Sequence, residues 1–501
     1  MKLTIDGNIN SYYVQMLCMI FFPGEKFGAG AEVVPGTPEL TVVARDTGEG
    51  ASCHATITAY GKTAEAERFR IYGIGEDETK EKTMKFAVGA AVLAACGEVL
   101  GYRPSWGMLT GVRPSKVAKE MLERGMSKTR VKRILTGDYQ AVPKKAQLAI
   151  NVALAEQSII GVPDPRDCSV YVSIPFCPSR CSYCSFVSYT SEKLLSLIPD
   201  YLVRLAGELR AAFSEIRELG LRVKTVYIGG GTPTVLEADQ LRFLLSVIAE
   251  NTDVASLEEF TLESGRPDTI TKEKFAVAKQ YGVTRVSVNP QSLSAEVLEE
   301  IGRHHTPEDF FRAFAIARES GIPVINTDLI VGLPGDNFKR FSATFDKVAE
   351  LAPENLTVHT FCVKKAADIL REGSHVYSLR GGDAGKCVDY TQVRAGSIGY
   401  HPYYMYRQKN TVGNYENVGF AKAGTEGLYN VYMMEEVHSI FAVGAGAVSK
   451  MVHYRVGGAN GEACIRRFAN PKYPYEYLRG DETFAESRAA TEAFYRKNGL
   501  I

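Results

Sequence analysis

Three cysteines within eight residues are the most chemically suggestive feature of this sequence. In the stretch IPFCPSRCSYCSF, residues 174 to 186, they are Cys177, Cys181 and Cys184. Three adjacent thiolates repel one another unless a cation holds them. The spacing CxxxCxxC lacks the paired knuckles of a structural zinc site, and an iron–sulfur cluster normally takes four cysteines, one per iron. A loop with three cysteines therefore predicts a cluster that leaves one iron open for a substrate or cofactor.

Six strand-like runs, separated by helical patterns, surround this loop in the sequence. They are rich in Val, Ile, Thr or Tyr and comprise residues 170–175, 223–230, 258–264, 284–291, 324–334 and 355–363. Six β-α units in series predict an α/β fold with a parallel sheet, a partial (β/α)6 barrel of the TIM type.

The polar and glycine-rich features follow the ends of these predicted strands. The cysteine loop follows the first strand, GGGTPT (229–234) the second, Glu263 ends the third, Gln291 ends the fourth, and Asp328 lies within the fifth. Because reactive residues in such barrels lie at the C-terminal ends of the strands, we expect these groups to share one rim.

The rest of the chain predicts two further domains, since 501 residues exceed one ordinary core. The proline-containing segment GVPDPRD (161–167) indicates a connector. We therefore expect an N-terminal α/β accessory domain over residues 1–165, the barrel over 166–370, and a mainly helical, substrate-covering C-terminal region over 371–501.

Charge and hydropathy restrict the partners that we expect. The formal net charge is zero, so we expect no nucleic-acid binding. The apolar run VQMLCMIFF is too short to span a bilayer, and the run FAVGAAVLAACGEVLG, interrupted by glycine and glutamate, predicts a buried helix. We expect a cytoplasmic protein without a membrane span, in which the seven scattered cysteines are packing residues.

The motifs taken in order resemble the radical S-adenosylmethionine (SAM) superfamily and, within it, the oxygen-independent coproporphyrinogen III dehydrogenases and their relatives. The resemblance rests on YVSIPFCPSRCSYCSF, YIGGGTPT, RVSVNPQS, GRHHT and DLIVGLPG, and it covers most of residues 168 to 365. It implies that the three cysteines bind a [4Fe–4S] cluster and that SAM completes the coordination of the open iron. In that family, reduction of SAM gives a radical that abstracts a hydrogen atom from the substrate.

The resemblance also implies which residues contact SAM: Tyr171, Gly230, Gly231, Thr232, Glu263, Gln291, Arg303 and Asp328. Tyr171 and Glu263 are in addition the candidate catalytic residues. The family pattern gives Arg303 the SAM carboxylate, which suits an arginine fork. It gives Asp328 the ribose hydroxyls, which suit a carboxylate acceptor.

Two outer segments, WGMLTGVRPSK (106–116) and YRQKNTVGNYENVGFAK (406–422), resemble the branch called HemZ. The implied reaction is oxidative decarboxylation of two propionates of coproporphyrinogen III to vinyls, giving protoporphyrinogen IX in anaerobic haem biosynthesis. A related tetrapyrrole is also compatible. Residues 101–150 carry 11 Lys or Arg against 3 Asp or Glu, and the candidate propionate contacts are Arg113, Lys116, Arg407 and Lys409. An acidic electron donor of the flavodoxin or ferredoxin type is the alternative partner of this basic stretch.

Two other functions stay open from the sequence. Phe186 stands where some family members have a further cysteine, and phenylalanine is also common in a branch of haem-binding chaperones. The other alternative is a radical SAM enzyme that modifies or degrades haem.

Overall fold

In the computed structural model of the protein, the described residues are 1–22, 25, 27, 36–75, 78–111, 113–184, 186–362, 382–408, 411–453 and 464–499. The chain divides into two compact units. Unit 1 contains residues 1–154, 376–385 and 405–417, and unit 2 contains 155–375, 386–404 and 418–501. Segments of the C-terminal third thus belong to both units. The predicted domain boundaries after residues 165 and 370 stay predictions.

Unit 1 contains a four-stranded sheet whose strands lie in chain order: β1 (Lys2–Asp6), β2 (Glu39–Asp46), β3 (Gly50–Ala59) and β4 (Lys62–Ile71). β1 pairs with β2 in parallel, and the other pairs are antiparallel. Buried residues alternate along β2 and β3, as expected for a sheet with one covered face. The helices are α1 (Ser11–Phe21), α2 (Lys80–Leu100), α3 (Pro114–Glu123), α4 (Lys128–Gly137) and α5 (Pro143–Ile160), whose last six residues are assigned to unit 2. Helices α1 and α2 share one hydrophobic core with the sheet.

Helix α2 confirms the predicted buried helix. The Thr79 side chain caps its start by accepting from Lys82 N, and Gly101 ends it with a left-handed φ of 61°. Within the described ranges it is the one helix that is long and apolar enough to cross a membrane, and 67% of its apolar window is buried in the protein. It is therefore a core helix of unit 1.

Unit 2 is built around an 11-stranded sheet with the order β11-β12-β10-β9-β8-β7-β6-β5-β13-β14-β15. Its central strands are β5 (Asp167–Ile174), β6 (Arg222–Gly230), β7 (Glu259–Leu262), β8 (Arg285–Ser287), β9 (Val324–Val331) and β10 (Asn355–Thr360). Each pairs in parallel with the next. These six strands confirm the predicted α/β class and the predicted parallel core.

Helices connect the parallel strands, as β-α units require. They are α6 (Glu192–Leu195), α7 (Ile198–Glu218), α8 (Ala238–Asn251), α9 (Lys272–Gln280), α10 (Ala295–Glu300), α11 (Pro307–Glu319) and α12 (Phe338–Glu350). The long helix α7 buries Leu202, Leu205 and Leu209, which follow helical spacing.

The C-terminal third adds strands to both sides of the parallel core. The strands are β11 (His401–Tyr406), β12 (Asn417–Ala421), β13 (Ser439–Val443), β14 (Val448–His453) and β15 (Cys464–Ala469), and the predicted helices are α13 (Ala384–Ser397), α14 (Leu428–Met434), α15 (Pro474–Arg479) and α16 (Asp481–Lys497). β12 pairs antiparallel with β10, and β13 pairs in parallel with β5. A mainly helical region was predicted here, and the four helices agree with it, but these five strands were not predicted.

Candidate functional site at the carboxyl ends of the parallel strands

The cysteine loop follows β5. Cys177 and Cys181 are buried and Cys184 is partly buried. Burial raises the pKa of the Cys177 thiol to about 11 and also raises the pKa of Cys184. The described side chains do not form a group of three or more His, Cys, Asp or Glu that already has the geometry of a metal site. Thiols that are costly to ionise here would gain from a cation that compensates their charge.

Two polar side chains reach the thiols from neighbouring strand ends. Thr232 Oγ1 donates to Cys177 Sγ at 3.3 Å. Arg266 Nη1 lies 3.9 Å from Cys181 Sγ, and it donates to the backbone oxygen of Ser179 at 3.1 Å. The structure therefore brings the predicted residue Thr232 to the cysteine loop, together with Arg266, which the sequence analysis did not select.

The glycine-rich turn after β6 approaches the same loop very closely. Gly230 has a φ of 111°, which side chains rarely adopt. A Cβ added to Gly231 would lie 2.6 Å from the Phe176 carbonyl oxygen and 2.9 Å from Cys177 Sγ. The Gly231 N–H donates to the Ile174 carbonyl at 2.8 Å. Residues larger than glycine would thus displace the cysteine loop.

Glu263 directly follows β7 and lies against a stack of tyrosine rings. Burial, and to a smaller extent the charge of Asp328, raises its pKa to about 7, while hydrogen bonds from Tyr227 and from the Gly230 backbone act in the opposite direction. The Tyr171 ring stacks on Tyr227 at 6.0 Å and on Tyr429 at 6.2 Å between centroids. Both predicted catalytic residues are thus near each other.

Asp328 lies in β9 within a network of hydrogen bonds. Asn289 Nδ2 donates to Asp328 Oδ2 at 2.8 Å, and Asn326 Nδ2 donates to Oδ1 at 2.7 Å. His359 Nε2, on the adjacent strand β10, lies 3.7 Å from Asp328 Oδ2. Although burial acts to raise it, the contacts with His359, and to a smaller extent those with Asn326 and Thr357, hold the pKa of Asp328 below its ordinary value. The carboxylate is therefore ionised and held in place.

Gln291 adopts a left-handed φ of 64° beside β9. Its backbone N–H donates to the Asp328 carbonyl at 3.2 Å. Its Oε1 atom is buried and has no hydrogen-bond partner among the described residues. An unpaired buried acceptor is costly, so this oxygen is available to a ligand.

Arg303 is buried, with its guanidinium held by groups of the protein. Nη1 donates to the carbonyl oxygens of Gly265 at 3.2 Å and Asn289 at 3.0 Å. Nε and Nη2 donate to the Tyr183 hydroxyl at 3.3 and 3.2 Å. The predicted contact of Arg303 with the SAM carboxylate stays a prediction.

Of the candidate propionate contacts, Arg113, Lys116 and Arg407 belong to unit 1, whereas the cysteine loop belongs to unit 2. Arg113 precedes α3, and Lys116 is an exposed residue of that helix. Arg407 is only 4% exposed and donates to the Leu109 carbonyl, and burial lowers its pKa to about 10. Lys409 lies outside the described residues.

Four residues at the site escaped the sequence analysis: Arg266, Tyr227, His359 and Tyr429. Arg266 had a usable signal, because it is a polar residue two positions after the predicted strand 258–264. His359 lies in the middle of the predicted strand 355–363, where the rule for strand ends does not single it out. Tyr429 comes from α14, far along the chain, and no local pattern connects it to β5.

The residues at this rim fit an iron–sulfur cluster and a polar cofactor. Three thiols lie on one loop, and a glycine turn leaves no room for a side chain beside them. Gln291 Oε1 offers an unpaired acceptor. Asp328 offers an ionised carboxylate, which suits a ligand with hydroxyl or ammonium groups.

Comparisons with known proteins show the family of the chain. The radical SAM superfamily profile matches residues 171–348. The chain is 34% identical to the oxygen-independent coproporphyrinogen-III oxidase-like protein HemZ of Bacillus subtilis, over 95% of this chain and 94% of that protein. It is 32% identical to the heme chaperone HemW of B. subtilis, over 58% of this chain and 71% of HemW.

Among solved structures, coproporphyrinogen III oxidase (HemN) of Escherichia coli matches with a TM-score of 0.49 and 22% identity, over 65% of this chain and 71% of that chain. The match to HemZ along nearly the whole length is the more extensive relationship. The protein belongs to the radical SAM superfamily as a HemZ-like member, and its cofactors are a [4Fe–4S] cluster and S-adenosylmethionine.

Proposed function

We propose that this protein catalyses the oxygen-independent oxidative decarboxylation of two propionates of coproporphyrinogen III to vinyl groups. Each propionate would lose one β-hydrogen atom, carbon dioxide and one further electron that an external acceptor takes, and the product is protoporphyrinogen IX. The observation that supports this most directly is the 34% identity to HemZ over 95% of the chain, which includes both outer segments, 106–116 and 406–422. The protein would act in the cytoplasm.

In this proposal Cys177, Cys181 and Cys184 hold the [4Fe–4S] cluster. When bound, the cluster and SAM supply one-electron chemistry that removes a hydrogen atom from a carbon too weakly acidic for a side-chain base. Gly231 permits the close approach of the backbone to the cysteine loop, and Thr232 donates a hydrogen bond to Cys177 Sγ. These contacts orient the loop without taking part in the chemistry.

The remaining rim residues bind and orient SAM. Asp328, fixed by two asparagine amides, accepts from the ribose hydroxyls. Glu263 and Gln291 Oε1 accept from other polar hydrogens of SAM, and Arg303 binds its carboxylate. Tyr171, stacked on Tyr227, packs beside the reacting groups and excludes water from them.

The substrate and the electron donor would both use basic residues. The carboxylates of coproporphyrinogen III would bind Arg113, Lys116, Arg407 and Lys409. An acidic flavodoxin or ferredoxin would supply electrons, and the 11 basic residues among positions 101–150 suit its charge.

The test is an anaerobic assay with reconstituted protein, SAM, reductant and coproporphyrinogen III, in which product mass is measured. We expect a loss of two formate equivalents. Cys181→Ala should abolish iron loading and SAM cleavage, whereas Cys464→Ser, at an exposed cysteine on β15, should leave both unchanged. A Cys181→Ala protein with a full, active cluster would refute the assignment.

A second candidate function is haem transfer, because the chain covers 71% of the heme chaperone HemW at 32% identity. Stable haem binding without turnover of coproporphyrinogen III in the same assay would favour it. Consumption of haem would instead favour a haem-modifying enzyme.

A further inference from the structure

The guanidinium of Arg266 is held in one orientation beside the cysteine loop. Nε and Nη2 both donate to the Asp268 carboxylate at 3.1 Å, one to each oxygen. Nη1 donates to Ser179 Oγ at 2.8 Å and to the Ser179 carbonyl at 3.1 Å, and it lies 3.9 Å from Cys181 Sγ. Only a planar fork with several donors can make all these contacts at once.

The environment makes this positive charge effective at the sulfur. The Arg266 side chain is 4% exposed, whereas that of Asp268 is 31% exposed, so water screens the carboxylate more than the guanidinium. Cys177, in contrast, receives a hydrogen bond from the neutral hydroxyl of Thr232. The hydrogen-bond donors to the two sulfurs therefore differ: a guanidinium lies at Cys181, and a neutral hydroxyl donates to Cys177.

A cation beside a cluster ligand has a predictable effect. Reduction adds one negative charge to a cluster, and hydrogen bonds and positive charge near its sulfurs stabilise that charge. A guanidinium directed at Cys181 therefore favours the reduced form. A carboxylate beside that guanidinium weakens the effect, because it partly compensates the positive charge.

We propose that Arg266 is a positioning residue that holds the Cys181 side of the loop and raises the reduction potential of the cluster, and that Asp268 limits this rise. This inference rests on the proposed cluster at the three cysteines. Within this charge pair, Arg266 raises the reduction potential and Asp268 lowers it.

The test uses the full-length protein, reconstituted anaerobically, with the variants Arg266→Gln, Arg266→Lys and Asp268→Asn. Redox titration followed by electron paramagnetic resonance gives the midpoint potential. We expect a more negative potential for Arg266→Gln, because the charge is lost, and a more positive one for Asp268→Asn, because the compensating carboxylate is lost. Arg266→Lys should lie between wild type and Arg266→Gln.

The matched control is Arg242→Gln, on helix α8, where the arginine donates to Gln280 Oε1 at 2.9 Å and is 43% exposed. It should leave the potential unchanged. If Arg266→Gln fails to load iron, Asp268→Asn and Arg266→Lys decide the question. Loaded Asp268→Asn protein whose potential equals that of wild type, or falls below it, would overturn the inference.

Iron content and the spectral change on adding SAM are measured on the same samples. If wild-type protein contains no iron and its spectrum does not change on adding SAM, the proposed cluster at the three cysteines is rejected. If the cluster is loaded and responds to SAM, but its midpoint potential is the same in wild type and Asp268→Asn, only the role of Arg266 is rejected.

Discussion

Lys145 Nζ lies 2.6 Å from Glu416 Oε1 in unit 1, and both side chains are at most 1% exposed. Trp106 Nε1 donates to the other oxygen of Glu416 at 2.7 Å. The carboxylate thus joins residues from three distant parts of the sequence, two of them in the segments that resemble HemZ. Removing one member of such a buried pair leaves an uncompensated charge.

We therefore expect Lys145→Met to lower the free energy of unfolding by about 3–5 kcal/mol, measured by denaturant titration. Lys272→Met is the control, since Lys272 pairs with Glu319 at 2.7 Å on the surface, with 75% and 59% exposure. It should cost less than about 1 kcal/mol. Equal losses in the two variants would contradict this account of unit 1.

Glu263 should make the stability of the protein depend on pH. Its pKa rises on folding from 4.5 to about 7, chiefly because of burial, so the folded protein retains a proton that the unfolded chain releases between these values. The stabilisation from this group is complete below pH 4.5 and is lost as the pH rises to about 7.

Urea midpoints measured from about pH 5 to about pH 7.5 should fall more steeply for wild type than for Glu263→Gln, because glutamine does not titrate. The measurement is made without added SAM. Curves that run parallel for the two proteins would show that Glu263 does not bind this proton.

Gly231→Ala should lower the iron content of the reconstituted protein several-fold. The new Cβ would lie 2.6 Å from the Phe176 carbonyl and 2.9 Å from Cys177 Sγ, so the cysteine loop would have to move. Gly207→Ala in helix α7 is the control, because nothing lies within 4 Å of its added Cβ. It should gain about 0.5–1 kcal/mol of stability and load iron normally. Normal iron content in Gly231→Ala would mean that the loop tolerates the methyl group.

Asp328→Asn should weaken SAM binding by about tenfold or more, measured by isothermal titration calorimetry. Hydrogen bonds to a charged group contribute about 1.5–3 kcal/mol, and an asparagine amide would face the donors of Asn289 and Asn326. Asp346→Asn, where Arg394 Nε pairs with the carboxylate at 2.9 Å and the carboxylate is 38% exposed, is the control. Equal dissociation constants for both variants would argue against Asp328 as a SAM ligand.

Local pattern was enough to predict the parallel core and most of its rim. Strands such as β6 and β9 are short runs of β-branched residues, and their ends coincide with glycines or polar residues. The strands β11–β15 were not predicted, because their pairing depends on partners far away in the sequence, such as β5 for β13.

Side-chain environments were harder to predict than strands. Arg407 was predicted as a propionate contact because a substrate with four carboxylates needs cations, but the sequence did not predict that it would be buried and donate to the Leu109 carbonyl. The position of Arg266 just after a predicted strand was visible in the sequence, but its partners were not. Its contact with Ser179 forms between two loops that come together only in the folded protein. No local sequence pattern indicates that these two loops are in contact.

The parallel pairing of β13 with β5 bears on the order of events during synthesis. The strand that leads into the cysteine loop ends at Ile174, but its outer neighbour begins only at Ser439. At ribosomal speeds of about 5–20 residues per second, that neighbour emerges on the order of 10 to 50 s later. Throughout this interval one edge of β5 lacks its final partner strand. The sheet that supports the cysteine loop is therefore complete only near the end of translation, and insertion of iron and sulfide into the complete site would follow that point.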